Sequence, residues 1–149
     1  MPAKGAVRVV ATGAVALASG LVPGRAPVGP DEAAAAAAAA GYPAPDRIGS
    51  YWLARHGDGD RVLLLDRFGD VVLDVKGEAV PVRAGAGDTG QVIGGLVSAQ
   101  TRHMGPVTLS PTVWLVAGHR LRELNEVEQA SPSRNLPAGE DAVVIVGRT

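Results

Sequence analysis

Glycine and proline break this chain into short pieces. With 20 Gly and 11 Pro in 149 residues, few stretches run long enough for an uninterrupted helix of several turns. Glycine reaches positive φ and proline fixes φ, so both mark turns. That punctuation suits many short strands joined by tight turns. The pattern sharpens after Ile48, where three eight-residue units can be superposed: 51–58 (YWLARHGD), 63–70 (LLLDRFGD) and 71–78 (VVLDVKGE). Leu53, Leu65 and Leu73 share one position, Gly57, Gly69 and Gly77 another, and Asp58, Asp70 and Glu78 the last. Each unit reads as a short strand followed by a turn. Eight residues are too few for a strand–helix repeat, but they suit a β-meander or the rungs of a narrow fibre. Chance similarity in a turn-rich chain is the competing explanation.

The rest of the chain reads the same way. Residues 79–83 form a further strand, which Pro81 places at an edge or a start. Residues 85–90 are a loop. Residues 91–99 are either a strand bulged at Gly94-Gly95 or a short helix. Strands at 107–109 and 112–117 flank a Ser110-Pro111 turn, and Gly118-His119 turns into 120–124. A polar loop with Pro132 and Pro137 covers 125–140. Residues 142–146 (AVVIV) are a last, wholly apolar strand, central and buried. Aromatic residues are only 3% of the chain, so Val, Leu, Ile and Ala must build the core. The expected fold is mainly β: a small antiparallel sandwich or barrel-like domain at 46–149, with an N-terminal arm and one short Ala-rich helix.

Residues 1–30 are rich in Gly, Ala and Pro. Lys4 and Arg8 precede the uncharged run 9–22, a pattern shared with secretory signal peptides, although no convincing A-x-A site follows it. The favoured reading is an arm with strand-like pieces at 7–11 and 14–18, docking on a neighbour. Residues 9–24 are uncharged but short for a membrane span and contain three glycines. Residues 31–45 hold a helix followed by a proline linker. Asp31 can cap the first turn, Ala33 to Ala40 favour helix, and Gly41 can close it in the left-handed conformation. About ten residues are marginal as a helix in water. Packing of the small alanine face on a neighbour would stabilise it; a spacer between arm and domain is the alternative. The interface candidates are therefore Val9, Val10, Val15 and Leu17 in the arm, Ala33 and Ala37 in the helix, and Trp52 and Trp114 as anchors. The two tryptophans also have core positions as the ordinary alternative.

Chemistry-bearing motifs are sparse. The net charge is −1 with no run of Lys or Arg, so the basic stripe that nucleic acid binding needs is missing from the sequence. There is no cysteine. Residues 85–90 (GAGDTG) match G-x-G-x-x-G literally, but no acid stands about 20 residues on, and Asp88 would repel phosphate. Asp58-Gly59-Asp60 resembles the start of a calcium loop that Arg61 and Val62 then break, leaving a charged hairpin turn. In a symmetric assembly those carboxylates could still converge on an ion. His56, His103 and His119 fall in turns without zinc-helix spacing, and no nucleophile-elbow signature is present. No catalytic residue, cofactor or metal is expected, and the chain is not expected to be an enzyme.

The strand–turn line LLLDRFGDVVLDVKGE, the Ala/Gly-rich N-terminal region and the closing strand DAVVIVG (141–147) together resemble small accessory proteins of tailed-phage virions. That group includes head decoration proteins, head fibres and tail-fibre segments. The likeness is one of pattern over 48–149 and carries no residue role. It implies a non-enzymatic structural protein of the virion, a homo-oligomer such as a trimer, fastened through its arm or closing strand to capsid or tail neighbours, without nucleic acid or a membrane span. The alternative is a secreted or cell-envelope β-domain of a GC-rich bacterium, with the first 20 or so residues as leader. A nucleotide-binding module built on 85–90 is a third reading.

Overall fold

The computed structural model describes residues 25–83, 89–134, 136 and 141–148. The arm candidates Val9, Val10, Val15 and Leu17 lie outside these residues, as do 85–88 of the Gly-rich loop. In chain order the elements are α1 (Pro30–Ala39), β1 (Asp46–Ile48), β2 (Tyr51–Arg55), β3 (Arg61–Leu65), β4 (Val71–Arg83), α2 (Thr89–Gln100), β5 (Arg102–Met104), β6 (Val107–Leu109), β7 (Thr112–Ala117), β8 (Arg120–Glu123), α3 (Glu126–Gln129) and β9 (Asp141–Arg148). The protein is mainly β. Seven strands form one sheet in the order β1-β2-β3-β4-β9-β7-β8, and β5 and β6 form a separate hairpin.

Every pairing in the large sheet is antiparallel. The first four strands make the expected meander. The apolar strand β9 enters the middle, between β4 and β7, with Ala142, Val143, Val144, Ile145 and Val146 all buried. Each buried Val or Ile there contributes about 1.5–3 kcal/mol relative to exposure.

The 13-residue strand β4 does the unexpected work. Its first half pairs with β3, with Arg61 opposite Lys76, and its second half pairs with β9, from Lys76 opposite Arg148 to Arg83 opposite Asp141. The strand therefore changes partner at Lys76-Gly77. Gly77 lies directly opposite Gly147. A Cβ on Gly77 would collide with the carbonyl oxygen of Val146, and one on Gly147 would come within 2.8 Å of Val75 Cγ2. Neither glycine has positive φ, so they are needed for room and not for conformation. Beyond Lys76, β4 has β9 on one side and, among the described residues, no strand on the other. Pro81, which lacks an N–H, is tolerated there as an edge residue.

The sequence units are thus not equivalent in space. Gly57 sits in an open turn with no atom near its would-be Cβ, Gly69 takes φ +84° in the β3–β4 turn, and Gly77 is inside a strand. The turn expected after the third unit does not form. The shared leucines also separate: Leu53 and Leu73 contribute to one face of the sheet and Leu65 to the other.

One face carries Leu53, Val62, Leu64, Val75, Trp114, Val116, Val143 and Ile145, drawn from both ends of the strand order. These residues meet because the sheet rolls on itself. The β1–β2 turn reaches the β7–β8 turn, where Ser50 N–H donates to Gly118 O at 2.8 Å, Tyr51 OH donates to His119 O at 3.4 Å, and Ser50 Oγ bonds His119 Nδ1. Gly49 has φ +57°, and a side chain on it would strike the Gly118 backbone. The roll is barrel-like but open, since β1 and β8 do not pair.

Helices cover the outer face. Under α1 lie Trp52, Ala54, Leu63 and Leu65, and Ala33 and Ala37 are fully buried against them. The helix begins at Pro30 with Gly29 as N-cap, where Asp31 was expected; Asp31 and Glu32 occupy the first turn, and Gly29 N–H donates to Glu32 Oε1 at 3.3 Å. It ends as expected at Gly41, φ +89°, with Gly41 N–H bonded to Ala38 O and Tyr42 N–H to Ala37 O. Under α2 lie Val82, Val113, Leu115, Val144 and Val146, with Ile93 buried and Leu96 and Val97 partly so. The ambiguous segment 91–99 is therefore helical. Its spacing Ile93, Leu96, Val97 builds one apolar face, which outweighs the low helix propensity of Gly94 and Gly95. Gly90 lets the backbone at Ala130, at the end of α3, approach closely.

The β3–β4 turn is held by Asp66, whose carboxylate accepts from Phe68 N–H at 2.9 Å and Asp70 N–H at 3.0 Å. Residues 25–28 lie over it: Arg25 Nη2 bonds Asp70 Oδ2 at 2.6 Å, and Val28 N–H bonds Arg67 O at 2.8 Å.

Two predictions follow from this packing. Gly77→Ala should lose about 3 kcal/mol in denaturant unfolding, because backbone must move to admit the methyl. Gly57→Ala, in open space, should be neutral or gain up to about 1 kcal/mol. The second concerns pH. Burial raises the Asp66 pKa, outweighing its two backbone bonds. The folded carboxyl thus holds its proton more tightly than the unfolded one. The stability this contributes is present at acid pH and lost as pH rises through the folded pKa. Asp66→Asn keeps the acceptor without a buried charge. It should melt higher than the parent at pH 7, with the gap closing as pH falls toward about 4.

Candidate functional site

The strands β5 and β6 pair as Arg102 with Leu109, His103 with Thr108 and Met104 with Val107. The turn is Gly105-Pro106, with Gly105 at φ +63° as the first central residue, the geometry that matches hairpin twist. Directly opposed residues share a face. One face therefore carries Arg102, Met104, Val107 and Leu109, and the other carries His103 and Thr108, whose Nδ1 and Oγ1 lie 3.3 Å apart. All six residues are exposed, with Met104, Val107 and Leu109 at 57, 52 and 46%. An isolated two-stranded hairpin is at best marginally stable in water. This one presents a small apolar surface with no cover among the described residues.

At the base of the hairpin lies a cleft of about 550 Å³. Arg102, Leu109 and Ser110 form one wall, and Arg61, Asp74 and Lys76 another. Thr112, Gly147 and Arg148 complete it. The register explains the charge. Arg61 lies opposite Lys76, and Lys76 lies opposite Arg148, so three cations stand in a row across β3, β4 and β9. Like charges directly opposed on a sheet are unfavourable. The glycine-marked change of partner in β4 brings them together. Among the described residues a single carboxylate in the cleft lining balances them. Asp74 Oδ1 accepts from Arg61 Nη2 at 2.9 Å and from Tyr42 OH at 2.5 Å. Burial and the bond to Asp74 push the Tyr42 pKa up, so the phenol stays a donor at neutral pH. Bonds to Tyr42 and Asp74 raise the Arg61 pKa in turn. Lys76, Arg102 and Arg148 make no ion pair among the described residues. The Arg148 Nε is buried without an acceptor.

The residues singled out in the sequence lie elsewhere. Ala33, Ala37, Trp52 and Trp114 belong to the chain's own core, with the tryptophans only 6 and 8% exposed. The alanine face needs no second subunit, because the chain's own sheet covers it. His56, Asp58 and Asp60 cluster at the β2–β3 turn with ligand atoms within 4.8 Å of one another. The turn itself accounts for their proximity: His56 N–H bonds Arg61 O, Gly59 N–H bonds His56 O, and Asp58 N–H donates to His56 Nδ1. His119 joins the two turns that meet at the roll, and no carboxylate is bonded to it among the described residues. Of the G-x-G-x-x-G segment, Thr89 and Gly90 open α2, and Gly90 is packed against the Ala130 backbone.

Among the described residues no helix is long and apolar enough to cross a membrane. No family model, curated protein or solved structure matches this chain.

Proposed function

We propose that the chain is a non-enzymatic assembly protein that associates with copies of itself and with neighbouring subunits. The setting we assign is a phage virion, as an accessory protein of the kind the sequence resembles. The exposed apolar face of the β5–β6 hairpin carries this reading. Met104, Val107 and Leu109 stand in solvent on an element too small to hold itself together, and burial against a neighbour would recover about 25 cal/mol for each Å² covered.

Light scattering tests the reading. The full-length chain should have the mass of a defined oligomer. Val107→Glu, at a solvent-exposed position, should leave the melting temperature within about 2 °C and lower the mass to that of a monomer. A full-length chain that is monomeric, or an oligomer that V107E and M104E leave intact, would overturn it.

A further inference from the structure

We propose that the cleft where β4 changes partner binds a compact phosphate-bearing small molecule, its phosphoryl group held by Lys76, Arg102 and Arg148. The proposal stands on the cleft alone and does not depend on the assembly reading.

Four observations carry it. The register places Arg61, Lys76 and Arg148 in one row, and Arg102 faces them from the hairpin base. Among the described residues the one carboxylate lining the cleft, Asp74, is already engaged by Arg61 and Tyr42, so the described lining keeps three positive charges without an ion-pair partner in a chain whose net charge is −1. The buried Arg148 Nε lacks an acceptor among the described residues, and buried donors are rarely left so. Ser110 and Thr112 add hydroxyls to the same cleft.

Together these favour a phosphoryl group over a carboxylate. A carboxylate is satisfied by one arginine fork, whereas a phosphoryl dianion accepts from several donors and balances more positive charge. The volume suits a small molecule and exceeds what a bare ion fills. The cations are confined to one cleft, and no basic run continues along the chain, so a nucleic acid strand is a poor match.

Isothermal titration of the full-length protein with inorganic pyrophosphate, at matched ionic strength, tests the site. Citrate in a parallel titration reports on carboxylate binding. Pyrophosphate should bind saturably and more tightly than citrate. Arg102→Gln and Lys76→Gln, both at exposed positions, should each weaken it about ten- to a hundredfold, and Arg148→Met should do the same if it folds. Arg120→Gln, at an exposed position on β8, should leave it unchanged. No saturable binding, binding insensitive to both R102Q and K76Q, equal loss in R120Q, or tighter citrate binding would each overturn the proposal.

Discussion

The close approach of Gly77 and Gly147 is the constraint on which the rest of this structure depends. There β4 leaves β3 and takes up β9, and a side chain on either residue would strike the opposite backbone or Val75. That change of partner joins two pieces of sheet, the β1–β4 meander and the β9-β7-β8 ribbon, into one. It also turns the apolar face of each piece toward the other. Leu53 and Leu64 from the meander then share a core with Trp114, Val116 and Ile145 from the ribbon. The short bonds between the Gly49-Ser50 and Gly118-His119 turns follow from that roll.

A rolled sheet has an outer face that also needs cover, and this chain supplies it with two helices of different kinds. The first is almost all alanine, so the backbone sits close to Trp52 and Leu63, and Tyr42 at its end adds an aromatic side chain. The second lies over β9 and brings Ile93, with Gly90 accommodating the Ala130 backbone. The β5–β6 hairpin that follows α2 covers nothing in the core. It projects its apolar residues outward and leaves Arg102 and Leu109 at the rim of the cleft. The cleft of the proposed ligand site thus lies where β4 changes partner, with the hairpin residues Arg102 and Leu109 in its lining.

Much of the fold was legible because it rests on local signals. The apolar run at 142–146 has no other stable place than a central strand, and Gly118 and Gly69 mark turns through positive φ. Gly77 shows where that logic ends. By sequence it matches Gly57 and Gly69, yet its role is set by a strand 70 residues away, and only pairing reveals it. Ala33 and Ala37 were legible as a packing face but not as to what they pack on, since small residues allow close approach to a sheet or a helix alike. The cation row was invisible for the same reason as Gly77. Arg61, Lys76 and Arg148 are scattered in sequence, and a register shift of one residue would send them to opposite faces.

Hydrogen exchange at the Ser50 amide tests the rolled sheet most directly. This amide lies in a surface turn, and its bond to Gly118 O exists only where the two ends of the sheet meet. The rolled sheet predicts that it is protected to nearly the same degree as Val144 in the central strand, opening only with global unfolding. Exchange as fast as that of an open surface turn would show that the ends do not meet and that the two halves of the sheet are held together by β9 alone.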